Sequence, residues 1–333
     1  MKEPVLIIAE AGVNHNGDPL LARRMVEAAA QCGADIVKFQ TFKTENLVTP
    51  DAPKAAYQEA NTGISGSQYD MLKKLELSEK EHIELIDLCR QHRIGFLSTP
   101  FDPDSADLLN RLGVNQFKVG SGDLTNIPLI RQLAGYGKPL ILSTGMATMR
   151  EIARVLEVIG QAGLPRHLVT LLHASTEYPA PYSGVNLRAM LTMKRRFGVC
   201  VGYSDHTQGI EVPVAAVALG AQVIEKHFTL NRNLEGPDHK ASLEPDELAA
   251  MVRAIRNVEA SLGSGRKNPT PGEKMNMRAA RKSIVAACDI REGELLSEAN
   301  LTVKRPGTGI PALEWDRIIG TFAARDYRKD ELI

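Results

Sequence analysis

Two histidines stand at comparable places in the chain, each closing a short apolar run: His206 in Val201-Gly-Tyr-Ser-Asp-His-Thr207 and His227 in Val223-Ile-Glu-Lys-His-Phe-Thr229. The residues between them are enough for one helix, so the two run ends fall side by side in a parallel strand-helix-strand unit. Two imidazoles placed in this way could share one divalent metal. A histidine at a strand end also serves as a hydrogen-bonded structural residue, and the pair alone does not decide between these uses. Other run ends are polar as well: Glu10, Lys38 and Gln40, Thr99, Lys118 with Ser121 and Asp123, Ser143, Tyr178 and Ser204, with Asp238 just past the last run. Each has an ordinary use, such as a solvated lysine, a Ser-Thr-Gly turn, or a Glu10–Lys38 pair across adjacent strands. Gathered at one mouth, two lysines and several hydroxyls suit a phosphate or carboxylate, with Gly120 and Gly122 letting the backbone approach it. A metal beside an anion site points to polarisation of a carbonyl next to a phosphorylated partner.

The elements that must position these groups alternate. Strands are expected at Val5–Ala9, Asp35–Phe39, Ile94–Ser98, Gln116–Val119, Pro139–Ser143, Leu168–His173, Val199–Tyr203 and Gln222–His227. Each is followed by a helical pattern: Pro19–Cys32, Glu79–Arg93 after a long loop, Asp104–Leu112, Ile127–Tyr136, Met149–Gln161, Val185–Phe197, Ile210–Leu219 and Pro245–Leu262. Ser78 and Glu81 have the spacing of a capping box at the second helix. Eight strand-helix repeats predict an α/β fold, the closed (β/α)8 TIM barrel, whose sites lie at the C-terminal ends of the strands. Ring closure sets the last two strands beside the first and brings Glu10 towards the histidines.

The chain of 333 residues exceeds the ~250 of such a barrel, leaving room for one small module. Residues 1–262 are expected to form the barrel, the Gly/Pro-bearing stretch 263–280 a linker, and 281–333 a small, mainly β domain. Forty basic and forty acidic residues balance, with no basic tract, so neither nucleic acid nor a membrane surface is an expected partner. Cys32, Cys89, Cys200 and Cys288 are scattered without a CxxC, which fits a reducing cytoplasm. The run Pro4–Ala9 is too short for a signal-peptide core, and no run approaches the ~18 residues of a membrane span. A soluble, cytoplasmic protein is expected.

Seven blocks, in order, resemble the sialic acid synthase family: Ile8-Ala-Glu-Ala-Gly-Val-Asn-His-Asn-Gly17, Val37-Lys-Phe-Gln40, Ser98-Thr-Pro-Phe101, Lys118-Val-Gly-Ser-Gly122, Ser143-Thr-Gly-Met146, Gly202-Tyr-Ser-Asp-His206 and Glu225-Lys-His-Phe228. The last fifty or so residues resemble that family's antifreeze-like (SAF) domain, with Val303-Lys-Arg-Pro-Gly307 similar to its arginine-bearing segment. The resemblance implies condensation of phosphoenolpyruvate with an open-chain N-acetylmannosamine or a closely related acetamido-mannose sugar, giving an N-acetylneuraminate-type acid and phosphate. It implies that His206 and His227 hold Mn²⁺, or Mg²⁺ or Co²⁺, and that Glu10 assists proton transfer. It assigns Lys38, Thr99, Lys118, Ser121, Ser143 and Ser204 to phosphoenolpyruvate, and Gln40, Asn61, Asp123, Tyr178 and Asp238 to the sugar. Arg305 would arrive from the small domain of the other subunit in a domain-swapped homodimer.

The sequence departs from the family pattern in two places. Asp123 stands where many members have Glu, and the sixth-strand segment carries Ala174 where Cys is common, followed by Thr176-Glu177. That segment faces the sugar, so N,N'-diacetyllegionaminate synthesis from 2,4-diacetamido-2,4,6-trideoxymannose is the alternative within the family. An aldolase with a Lys118 imine and a carbohydrate- or ice-binding module on an inert barrel are the readings outside it. Strand alternation turns Lys226 away from the face that His227 occupies.

Overall fold

The computed structural model describes residues 3–54, 59 and 67–333. The chain forms two compact units, Met1–Gly263 and Ser264–Ile333. In the first, eight strands run parallel: β1 Leu6–Gly12, β2 Ile36–Thr41, β3 Gly95–Pro100, β4 Phe117–Val119, β5 Leu140–Ser143, β6 Val169–Ala174, β7 Cys200–Asp205 and β8 Val223–His227. Hydrogen-bonded ladders give the order β3-β2-β1-β8-β7-β6-β5-β4. β3 and β4 lie alongside each other at the seam without a ladder among the described residues, so the (β/α)8 barrel closes there by proximity of the two strands. With only three residues, β4 has little backbone to pair.

Period-two alternation divides each strand between two environments. Ile7, Ala9, Val37, Phe39, Phe117, Val119, Leu140, Leu142, Val201, Tyr203 and Ile224 join the core shared with the helices. Ile8, Ile36, Leu97, Ile141, Leu172 and Val223 turn inward and form a separate apolar cluster inside the barrel. Gly202 shares this inward parity. A Cβ there would lie 2.3 Å from the Val223 carbonyl oxygen and 2.7 Å from Leu172 Cδ2, so only glycine fits the interior at that level.

Helices begin where local chemistry starts them. Asp18 caps Pro19–Gln31, whose first turn takes the proline; Ser78 and Glu81 form the expected capping box of Glu79–His92, and Thr148 and Glu151 form one for Met149–Gln161. The helix expected over Val185–Phe197 starts only at Arg188, because Asn186 holds a left-handed φ of 50° that interrupts it. The segment after β2, expected to be a long loop, carries two short helices, Thr44–Leu47 and Gln68–Lys73, the latter capped by Ser67. Most strands also reach beyond their expected ends. Ladder pairing continues through Glu10, Gln40 and Thr99, where the apolar run stops but the backbone partner does not.

In the second unit β9 Ser283–Ala286 pairs antiparallel with β10 Leu301–Lys304 over a small core of Ile284, Ala286, Ile290, Leu296, Leu301, Ala323 and Tyr327. The stretch read as linker is not all irregular: Pro271–Ala280 is a helix, started by a Thr270–Glu273 capping box and a proline in its first turn. Among the described residues no helix is long and apolar enough to cross a membrane.

Candidate active site

Two residues beyond the inward apolar layer, the same parity delivers Glu10, Lys38, Thr99, Ser143, Ser204 and Glu225, joined by Lys118 of β4. All seven are buried. They lie on strands rather than on loops, so the sheet fixes their spacing: Glu10 is in register with Lys38 on one side and His227 on the other. Lys38 Nζ sits 2.7 Å from Glu10 Oε2 and 3.6 Å from Glu225 Oε2, and donates to Thr99 Oγ1 at 3.0 Å. Lys118 Nζ lies 3.4 Å from Glu225 Oε1 and donates to Ser143 Oγ at 2.8 Å. The Ser204 hydroxyl donates to Glu225 Oε1 at 2.8 Å.

These contacts separate the two carboxyl groups. Burial pushes Glu10 up to about 7, although Lys38 opposes the shift. Burial also acts on Glu225, but Lys118 and Lys38 outweigh it and hold the group at about 2. Burial lowers Lys118, whereas at Lys38 the effect of burial is overcome by Glu10 and Glu225, leaving that ammonium raised. Near neutrality the floor therefore holds one firm anion between two lysines and one carboxyl poised to gain or lose a proton.

The histidines lie on the same wall, ring centroids 5.3 Å apart, with Tyr178 at 4.1 Å from His206 and 5.8 Å from His227. Burial lowers His206 to about 4 and His227 well below its usual value, helped there by His206, so both rings are neutral at pH 7. His206 Nδ1 hydrogen-bonds the Ser175 carbonyl oxygen, which makes Nδ1 the protonated nitrogen and leaves the Nε2 lone pair free. His227 Nδ1 is buried with no hydrogen-bond partner. Two neutral imidazoles with unclaimed nitrogens fit a divalent ion such as Mn²⁺. Among the described residues no group of three or more His, Cys, Asp or Glu side chains is placed to hold one, so the remaining ligands would be water or substrate oxygens.

A cavity of about 620 Å³ opens over this floor. It brings together Glu10, Lys38, Gln40, Thr99, Lys118, Ser121, Asp123, Ser143, Tyr178, Ser204, His206, His227 and Asp238. Ser121 Oγ accepts from the Gly145 amide at 3.0 Å, Asp123 accepts from Asn126 Nδ2 at 3.0 Å, and burial raises Asp238 to about 6. Asn61 lies outside the described residues. Arg305 belongs to the second unit, where its Nε donates to the Ala280 carbonyl oxygen at 3.0 Å. Lys226 faces away from the cavity, as alternation requires, and pairs with Asp205.

Glu225 is the residue that sequence reasoning missed. It stands inside a recognised block, and its place two residues before His227 on one strand already put it on the same inward face.

A buried acid-base floor beneath two neutral imidazoles at the C-terminal mouth of a (β/α)8 barrel defines an enzyme, a synthase of the kind its relatives represent. The NeuB family model matches residues 25–267, and the SAF domain model matches residues 281–333. A relative from Campylobacter jejuni, described as N,N'-diacetyllegionaminic acid synthase, is 52% identical over 98% of this chain and 98% of its own. One of the same description from Legionella pneumophila is 47% identical over 95% and 89%. The crystal structure of an N-acetylneuraminic acid synthetase from Leptospira borgpetersenii superposes with a TM-score of 0.72 at 36% identity, covering 83% of this chain and 90% of that one. The chain belongs to the NeuB family.

Proposed function

We propose that this chain is a nonulosonic acid synthase that condenses phosphoenolpyruvate with 2,4-diacetamido-2,4,6-trideoxymannose to give N,N'-diacetyllegionaminate and phosphate. The observation that carries the chemistry is the pair of buried lysines around Glu225 beneath His206 and His227. The choice of sugar rests on the two relatives described as N,N'-diacetyllegionaminic acid synthases, similar over nearly the full chain. Condensation with N-acetylmannosamine to N-acetylneuraminate is the second reading, supported by the Leptospira structure.

In this reading the phosphate and carboxylate of phosphoenolpyruvate meet Lys38 and Lys118, with the hydroxyls of Thr99, Ser121, Ser143 and Ser204 around them. A divalent ion on His206 and His227 would polarise the sugar aldehyde. Gln40, Asp123, Tyr178 and Asp238 line the side on which the sugar is held, and Asn61 is assigned to it as well. C3 of the enol forms a bond to the aldehyde carbon, and the new alkoxide takes a proton from Glu10, whose raised pKa keeps one available. Water adds to C2 and returns a proton to Glu10; the C2–O bond then breaks, and phosphate leaves carrying the second hydrogen of that water. Lys38 and Lys118 offset the charge that collects on the departing phosphate. A homodimer remains part of this proposal, and sedimentation velocity checks it.

The test uses the full chain, stripped with EDTA, and follows phosphate release and product mass with each sugar. Activity should disappear on stripping, return with Mn²⁺, and yield the legionaminate-type acid. Full turnover by metal-free protein, or borohydride trapping of pyruvate on Lys118, would overturn the reading in favour of an imine aldolase.

A further inference from the structure

The cavity has two unlike sides. Its floor and the histidine wall are polar, but the rim above β1 to β3 is largely apolar, formed by Val13, Leu47, Val48, Met71, Leu72 and Phe101, with Gln40 and Gln68 beside them. This rim is packed in place: Val13 and Leu72 are buried in one cluster with Phe42 and Leu75, and Phe101 stands edge-on to Phe42 at 6.2 Å between ring centroids. It comes from the loop after β1, from the two short helices after β2 with their flanks, and from the residue after β3.

Charge is distributed just as unevenly. Among the described lining residues Lys38 and Lys118 are the only lysines or arginines, and both are engaged at the floor. Among the described residues the cavity therefore carries cations at its floor, where one anionic substrate would lie, and none at the apolar rim.

We propose that this apolar rim seats the C6 end of the sugar and selects a 6-deoxy terminus over a 6-hydroxyl or 6-phosphate one. The inference rests on the reading above and deepens it. With the aldehyde held beside His206 and His227, the rest of an open six-carbon chain would lie along the cavity that this rim borders. A methyl group there buries apolar area against Val48 and Met71. A hydroxyl in its place loses water against those apolar atoms, and a phosphate loses far more.

The experiment compares kcat/KM, with saturating phosphoenolpyruvate and Mn²⁺, for the 2,4-diacetamido-6-deoxy sugar, its 6-hydroxy counterpart and the 6-phosphate of the latter. Wild type should prefer the deoxy sugar over the hydroxy sugar by ~10–100-fold, with no product from the phosphate. Met71→Gln and Val48→Thr should each shift the deoxy-to-hydroxy ratio by about fivefold or more towards the hydroxy sugar, with the KM for phosphoenolpyruvate unchanged as evidence of an intact floor. A wild-type ratio within twofold of unity, or ratios unmoved in both variants, would overturn the rim assignment while leaving the synthase reading intact. Absence of product from all three sugars, with N-acetylmannosamine turned over normally, would remove the diacetamido reading and the rim assignment with it.

Discussion

Lys118 and Glu225 face each other at the barrel floor, Nζ 3.4 Å from Oε1, with neither side chain open to solvent. Glu225 shares its charge with Lys38 as well, so one anion serves two ammonium groups that a trianionic substrate would also claim. Replacing it as Glu225→Gln leaves Lys118 buried without a carboxylate partner. The variant should lose about 3–5 kcal/mol of stability and recover part of it in millimolar inorganic phosphate, which takes the place of the lost anion. Thermal melts with and without phosphate check this, and a phosphate response no larger than that of wild type would count against it.

Glu10 is the group set to exchange protons near neutrality. Glu10→Gln should lower kcat by about 10²–10⁴-fold while the KM for phosphoenolpyruvate changes little. In the proposed reaction its protonated form supplies the alkoxide proton, so wild-type kcat should fall as pH rises through about 7, and that limb should be absent from the variant's profile.

Asp238 links the site to stability. Its folded pKa of about 6 lies above the ordinary 3.8, so the folded state holds the proton more tightly than the unfolded chain. The contribution is fully present below 3.8 and is lost as pH rises through 6. In metal-free protein Asp238→Asn should therefore melt higher than wild type at pH 8, by up to about 3 kcal/mol, with the gap closing towards pH 4. A gap that is the same at both pH values would refute the assignment.

Gly202→Ala tests the packing beneath the chemistry. The added Cβ meets the backbone of β8 rather than a movable side chain, so the variant should lose at least about 3 kcal/mol or fail to fold. Denaturant titration reads the loss directly.

Much of the barrel was legible because its strands are short apolar runs at regular intervals, and because Ser78 and Glu81 announce a helix start by chemistry alone. Thirteen residues chosen from strand ends and motif blocks line one cavity, since a parallel barrel gathers the ends of distant strands at one mouth. The strand ends themselves were misplaced. Apolarity stops at Ala9 and Phe39, whereas ladder pairing continues to Gly12 and Thr41, so Glu10 and Gln40 read as loop residues although they belong to the sheet. Glu225 lies inside the expected strand Gln222–His227, where only the alternation that places it on the face of His227 marks it as the centre of the floor. The Pro271–Ala280 helix was hidden by the prolines and glycines around it, which mark its edges rather than its absence.

The division of each strand into an inward and an outward face has a consequence for how this chain can change over time. Glu225 and Lys226 are neighbours in sequence, yet one serves the cavity and the other an ion pair outside the barrel. Deleting or inserting a single residue within β8 would exchange their places and carry His227 out of the mouth. Length variation is therefore confined to the connections, and the longest of these, after β2, builds much of the apolar rim. On the proposed reading, new sugar preferences can thus arise by changing loops while the reaction stays the same, because the strands that hold the chemistry do not tolerate a change in length.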